Sequence, residues 1–269
     1  MPGRVLITGA AGGIGRRLRP RLARPGRVLR LLDTAALDPP APGEAVELVT
    51  ADLTEAAAMS AACDGIDAVV HLGAIPVEDE WRNLLRVNID GTRTVLEAAR
   101  DLGVPRVILA SSIHAVGFHS RSDGEIALPS NVPPRPDTYY GMSKAALEAL
   151  GSLYADRFGM AVFALRIGAC FDRPPGRASL PAWLSPDDCA RLVDACLTTA
   201  ETGFHLIWGI SRNTRRWWSL AEGERVGYAP RDDSEAYADE LGAGPPDETV
   251  DEPIGGDFIA KRLGGPRQA

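Results

Sequence analysis

The stretch Arg4-Val5-Leu6-Ile7-Thr8-Gly9-Ala10-Ala11-Gly12-Gly13-Ile14-Gly15 decides the fold. Val5 to Ile7 is a short β-branched apolar run that reads as a buried strand. It breaks at Gly9, after which Ile14, Leu18 and Leu22 take up helical spacing. Gly9, Gly12 and Gly15 stand at G-x-x-G-x-x-G. The first lets the chain turn tightly out of a strand, the second lets backbone approach a pyrophosphate, and the third lets the new helix pack on the sheet. The amides of Ala11, Gly12, Gly13 and Ile14, at the positive end of that helix, then face phosphates. The next strand, Arg27-Val28-Leu29-Arg30-Leu31-Leu32-Asp33, closes on an acid 24 residues after Gly9. That is close to the roughly 20 expected for a carboxylate on the adenosine ribose hydroxyls. Thr34-Ala35-Ala36-Leu37-Asp38 offers no Arg or Lys to a 2′-phosphate, so the expected cofactor is NAD rather than NADP.

Composition narrows the classes. At 269 residues and 45% apolar content the chain can bury a full α/β core. A net charge of −7 without a basic cluster argues against nucleic acid or an anionic membrane as partner. No apolar run is long enough to span a bilayer, and the first strand begins too early for a signal peptide. Cys63, Cys170, Cys189 and Cys196 show no paired metal-ligand spacing. They read as buried thiols of a cytoplasmic protein, and no metal site is expected.

Strand-like and helical segments alternate with short connections. Val46-Glu47-Leu48-Val49-Thr50 is followed by Asp52-Leu53 and a helix over Glu55 to Ala62. Asp52 serves equally well as an adenine contact or as part of that helix's N-terminal cap. Ala68-Val69-Val70-His71-Leu72 runs into Gly73-Ala74, a small-residue turn beside a cofactor, with His71 read as a packed strand-end residue. Helical spacing from Trp81 to Ala99 encloses Asn88, whose amide needs partners if buried. Arg106-Val107-Ile108-Leu109-Ala110 delivers Ser111-Ser112-Ile113-His114. A Pro-, Ser- and Asp-rich loop, Ser120 to Asp137, then leads to a helix opening on Tyr139-Tyr140-Gly141-Met142-Ser143-Lys144. Val162 to Gly168 is a further strand, Ser185 caps a helix with Pro186 in its first turn, and Phe204 to Ile210 is the last strand. From Trp217 onward the pattern is irregular, with a short helix near Asp233 to Glu240 and a solvated acidic segment, Asp247 to Glu252. Such alternation predicts a doubly wound parallel sheet, with its ligand edge at the C-terminal strand ends.

Ser112, Tyr140 and Lys144 carry the expected chemistry. A tyrosine with a pKa near 10 is a poor base at neutral pH, and a lysine one turn on favours its phenolate. A strand-end serine can hold the substrate oxygen. Together they would remove a hydroxyl proton as hydride leaves carbon.

These residues resemble the extended short-chain dehydrogenases/reductases. The likeness runs through Gly9/Gly12/Gly15, Asp33, Asp52-Leu53, Gly73-Ala74, Asn88, Ser112, Tyr140-x-x-x-Lys144 and Arg166-Ile167-Gly168. It implies an α/β Rossmann fold, with residues 1–168 as NAD-binding domain. Residues 169–269 would form a small substrate-binding region, interleaved with the last Rossmann strand and helix at about 185–211. It implies Tyr140 as acid/base, Lys144 as its partner and ribose ligand, Ser112 as stabiliser, and Asn88 as the amide supporting the lysine. Leu53, Leu72, Gly73, Ala74 and Ile167 would line the cofactor with the residues above.

Within that family the chain is similar to the uronate dehydrogenases, which oxidise C1 of a hexuronate to a lactone with NAD. The motifs are His71-Leu72-Gly73-Ala74-Ile75, Ser111-Ser112-Ile113-His114, Trp183-Leu184-Ser185-Pro186-Asp187-Asp188, Trp217-Trp218 and Gly255-Gly256-Asp257-Phe258. The likeness implies substrate contacts from Ile75, Ser112, Ile113, His114, Tyr140, Ala169, Arg177 and Phe258, with Arg177 clamping the carboxylate. It also implies a homo-oligomer joined through the Trp81–Ala99 and Tyr140–Arg157 helices. The chain departs from that pattern where Pro76, Ile113 and Ala169 replace polar residues, and Arg177 stands one residue early. Two rival readings remain. A family enzyme on another sugar, alcohol or nucleotide sugar would differ in substrate, and an epimerase would release no net NADH. A non-catalytic NAD sensor would have no need of Tyr140 and Lys144.

Overall fold

The computed structural model describes residues 3–124, 127–242 and 252–265. In chain order the first half runs β1 (Arg4–Thr8), α1 (Gly13–Leu22), β2 (Val28–Asp33), β3 (Val46–Thr50), α2 (Ala56–Cys63), β4 (Ala68–His71), α3 (Trp81–Leu84), a π-helical turn (Leu85–Asp90), α4 (Gly91–Asp101) and β5 (Arg106–Ser112). The second half runs α5 (Tyr139–Phe158), β6 (Ala161–Ile167), β7 (Ala169–Cys170), β8 (Trp183–Leu184), α6 (Pro186–Thr198), β9 (Phe204–Gly209) and α7 (Ala221–Arg225).

Seven strands form one sheet in the order β3-β2-β1-β4-β5-β6-β9, and every pairing in it is parallel. Strand order reverses between β1 and β4, and the crevice opens there. Alternate residues feed two cores because both faces of the sheet are covered. Val5, Ile7, Leu29 and Leu31 meet Leu18 and Leu22 of α1 and Leu192, Val193 and Cys196 of α6. Leu6, Leu32, Val69 and Leu109 meet Met59 of α2, Val95 and Leu96 of α4, and Leu147 and Tyr154 of α5. This is the expected doubly wound α/β fold. The Ser185 cap is present, its Oγ accepting from Asp188 N at 2.9 Å.

Three local expectations need correction. The run from Trp81 is not one regular α-helix, because Leu85–Asp90 is wound as a π turn. The extra residue turns Asn88 inward, and Thr92 Oγ1 donates to the Asn88 carbonyl at 2.6 Å. Near Asp233 the chain makes only a 3₁₀ turn, Ser234–Tyr237, capped by Asp233. The short helix α7 lies in the stretch expected to be irregular. Of the acidic segment, Asp247 to Asp251 lie outside the described residues. Among the described residues no helix is long and apolar enough to cross a membrane.

Candidate active site

A cleft of about 1150 Å³ runs along the C-terminal edge of the sheet. One end is built by the turn after β1. Gly9 has φ +68°, and a Cβ there would lie 2.6 Å from the Gly73 amide nitrogen. A Cβ on Gly15 would strike Ala10 backbone at the same distance, so strand, turn and helix close together only with glycine. Gly12 is the N-cap of α1 and places no side chain over the helix end, leaving its amides open to the cleft. Asp33 lines the cleft at the end of β2. Its carboxylate accepts from Ala11 N at 2.9 Å and Ala35 N at 3.0 Å. Asp52 accepts from the Thr54 amide at 2.9 Å in the turn ahead of α2, whose N-cap is Glu55, and it lines the cleft paired to Arg86 at 3.0 Å. Leu53, Leu72, Gly73, Ala74 and Ile167 complete this wall. A dinucleotide fits such a cradle: an uncapped helix end for its phosphates and a carboxylate for a ribose.

We predict from this geometry that Asp33→Ala raises the Kd for NAD about tenfold to hundredfold, the loss of one hydrogen-bonded carboxylate. Titration by NADH fluorescence checks it, and an unchanged Kd would remove Asp33 from the cofactor site.

The other end of the cleft holds the reacting groups. Ser112 closes β5, its Oγ accepts from His114 N at 3.2 Å, and it lines the cleft with Tyr140. Tyr140 stands in the first turn of α5, which begins there because Thr138 Oγ1 accepts from Gly141 N at 3.0 Å. Its own amide donates to the buried Glu78 at 2.8 Å. Lys144 lies one turn on, with Nζ 5.7 Å from the Tyr140 ring centroid and donating to the Ala110 carbonyl at 2.7 Å. Burial pushes the Tyr140 phenol up to about 12, against the opposing bond from Ser112. Burial likewise pushes Lys144 down to about 8, with Glu148 opposing. The expected lowering of the tyrosine by the lysine is not found: desolvation dominates, and the ammonium donates to a carbonyl. At neutral pH the phenol of this protein alone is protonated.

His114 is held by Asp137, its Nδ1 donating to Oδ2 at 2.6 Å. That bond leaves Nε2 for a ligand. Its ring stacks on Phe258 at 3.9 Å and meets Tyr140 edge-on at 5.8 Å. Ile75, Pro76, Ile113, Ala169 and Phe258 line this end too. His71 is a neutral structural residue. Its pKa falls to about 3 by burial, with Lys144 adding to the effect. Its two ring nitrogens bond Thr8 at 2.8 Å and Thr92 at 3.0 Å.

Two residues expected at the site stand apart from it. Asn88 lies behind the cleft wall. Its amide clasps both backbone groups of Ile75 (2.8 and 3.1 Å) and bonds Ser143 Oγ at 2.9 Å, with no bond to Lys144. It is a positioning residue, because the inward-facing π turn aims it at the loop after β4. Arg177 does not line the cleft. It sits in a 3₁₀ turn, and its Nη1 donates to the Gly242 carbonyl at 2.9 Å. No sequence pattern marked Glu78, Ser143 or Lys261, and for Asp137, the end of the loop before α5, an acid three residues before the tyrosine was the one available signal.

A family model described as NAD dependent epimerase/dehydratase family matches residues 5–172. A uronate dehydrogenase of Pseudomonas syringae pv. tomato is 38% identical over 260 residues, 96% of this chain and 93% of that protein. Among solved structures, a glucuronic acid dehydrogenase from Chromohalobacter salexigens superposes with TM-score 0.90 at 36% identity, over 97% of this chain and 98% of that one. A tyrosine-to-alanine mutant of uronate dehydrogenase from Agrobacterium tumefaciens, complexed with NAD, gives 0.88 at 37% identity, over 98% and 99%.

Proposed function

The chain belongs to the NAD dependent epimerase/dehydratase family, and we propose that it oxidises C1 of a hexuronate, galacturonate or glucuronate, to the lactone. The carrying observation is the convergence of Ser112, Tyr140 and Lys144 at one end of a cleft whose other end is a dinucleotide cradle. NAD is the cofactor, and when bound it supplies the hydride acceptor. Gly9, Gly12, Gly13 and Asp33 would hold it, with Lys144 as the expected ribose ligand.

Each protein group then has a task. Ser112 Oγ holds the C1 hydroxyl oxygen and keeps it against Tyr140 Oη. Tyr140 Oη, in its phenolate form, takes the hydroxyl proton as the C1–H bond gives up its hydride, and C1 becomes the lactone carbonyl. Lys144 stabilises the negative charge that passes through the phenolic oxygen. His114 Nε2, fixed by Asp137, is placed for a substrate hydroxyl. The apolar wall of Ile75, Ile113, Ala169 and Phe258 keeps water from the reacting carbon.

Incubating the enzyme with galacturonate and free NAD tests this reading. Stoichiometric NADH with lactone appearing before the open aldarate supports it. Turnover confined to neutral sugars, or none without a nucleotide sugar, would overturn it. Net NADH also separates it from an epimerase, which returns its hydride.

Two further elements belong to the same proposal. Trp81 and Leu85 beside α4, with Leu153 and Phe158 of α5, are exposed apolar side chains on the helices expected to join subunits. A homo-oligomer formed there would sediment above the mass of one chain. Cys63, Cys170, Cys189 and Cys196 are all free and buried, which fits a reducing compartment such as the cytoplasm.

A further inference from the structure

A hexuronate brings a carboxylate, and with Arg177 turned to Gly242 that anion lacks its expected clamp. Among the described residues, four cationic side chains line the cleft: Arg17, Arg86, Lys144 and Lys261. Arg17 is bound to Asp172, with two bonds at 2.7 and 3.2 Å, and to the Gly13 carbonyl at the phosphate turn. Arg86 is paired with Asp52 at the adenosine end. Lys144 is fixed on Ala110 beneath the phenol. Among the described residues, Lys261 Nζ makes no hydrogen bond or ion pair and lies over the face of the Phe258 ring, 3.5 Å from its centroid.

The place of that ammonium follows from what surrounds the ring. His114 is stacked on Phe258 at 3.9 Å with planes 21° apart, so it occupies one face. Lys261 must occupy the other. Tyr140 lies beside both rings, 5.8 Å from His114 and 6.4 Å from Phe258, and Lys261 lines the same cleft as all three. The segment carrying it is anchored on both sides. Ile254 N donates to the His119 carbonyl at 2.8 Å and Gly255 N to the Gly117 carbonyl at 2.9 Å. Past Lys261, Gly264 N donates to Glu78 Oε1 at 2.9 Å, while Glu78 Oε2 holds the Tyr140 amide. Glu78 thus ties the segment bearing Lys261 to the turn bearing the acid/base, fixing the register between them.

We propose that Lys261 is the carboxylate receptor of the substrate and sets preference for sugar acids over neutral sugars. The inference rests on the hexuronate reading. An ammonium lying on an aromatic face surrenders little when a carboxylate arrives, and its long stem can swing without moving backbone.

The test measures KM and kcat separately for galacturonate, with saturating NAD, in Lys261→Met, Lys261→Arg and Arg177→Met. Lys261 is exposed, so its variants keep the fold. Lys261→Met should raise KM about tenfold to hundredfold, the loss of a charge-assisted pair, while kcat moves far less. Lys261→Arg should recover most of it, and Arg177→Met should leave KM unchanged. An unaltered KM in Lys261→Met, a larger rise in Arg177→Met, or a rise in the KM for NAD instead would each overturn the assignment. The wild-type measurement stands apart: no oxidation of galacturonate there defeats the hexuronate reading and this assignment with it. Normal wild-type oxidation with an insensitive Lys261 defeats only the assignment.

Discussion

Replacing Tyr140 with Phe is expected to cut kcat for the sugar acid about 10²- to 10⁴-fold, the range of a positioned acid–base group. The ring would keep its packing against His114 and Phe258, whose centroids lie 5.8 and 6.4 Å away. Fold and NAD affinity should therefore change little, and only Oη is lost. Steady-state kinetics beside a thermal melt separate these effects. A kcat within a few-fold of wild type, in a folded variant, would remove Tyr140 from the chemistry. The same group sets the pH profile of the native enzyme. Oxidation needs the phenolate, and burial holds the phenol up at about 12, so the active form grows as pH rises from neutrality. Lys144 loses its proton near 8 and with it the charge that steadies the phenolate. The rate should climb from pH 7 and climb less steeply above about 8. A rate that falls from pH 7 to 9 would contradict this ordering.

The cofactor half of the molecule was legible because its signals are local. A β-branched run, glycines three apart and a helical period lie within about a dozen residues, and the structure needs those glycines where backbone meets backbone. Tyr140 and Lys144 were legible for the same reason, being one turn apart on one helix. The pH behaviour of that pair was not, because it depends on how deeply α5 is buried against β5, which no spacing encodes. Glu78 was invisible: its two partners, Tyr140 and Gly264, lie 62 and 186 residues away. Asn88 was noticed, yet its partners depended on a π turn that the apolar periodicity concealed. Arg177 was placed by likeness to a motif, and a loop carries no period to fix where a side chain points. Lys261 left no mark at all, because an exposed lysine in an irregular tail matches no pattern.

The largest loss of stability should follow Glu148→Ala. Glu148 on α5 and Arg166 on β6 are 4% and 0% exposed. Their contact is bidentate, at 2.9 and 2.8 Å. Arg166 also donates to the Ser130 and Val132 carbonyls at 2.7 and 3.0 Å, and Ser111 Oγ donates to Glu148 at 2.6 Å. Removing the carboxylate strands a guanidinium out of water, which costs about 3–5 kcal/mol. In a chain of this size that lowers Tm by on the order of 10 °C. Replacing both partners with apolar side chains, Arg166→Met with Glu148→Leu, should recover much of the loss, since a buried pair repays little more than its own desolvation. A double variant as unstable as the single would place the stability in the arginine's carbonyl contacts rather than in the charge pair. Recovery of the fold should not restore the chemistry in full. The Glu148 carboxylate favours the proton on Lys144 against burial, so without it the ammonium is lost at lower pH. The double variant should melt near wild type while its rate profile flattens at a lower pH. A wild-type profile in a stable double variant would show that Glu148 acts on the fold alone.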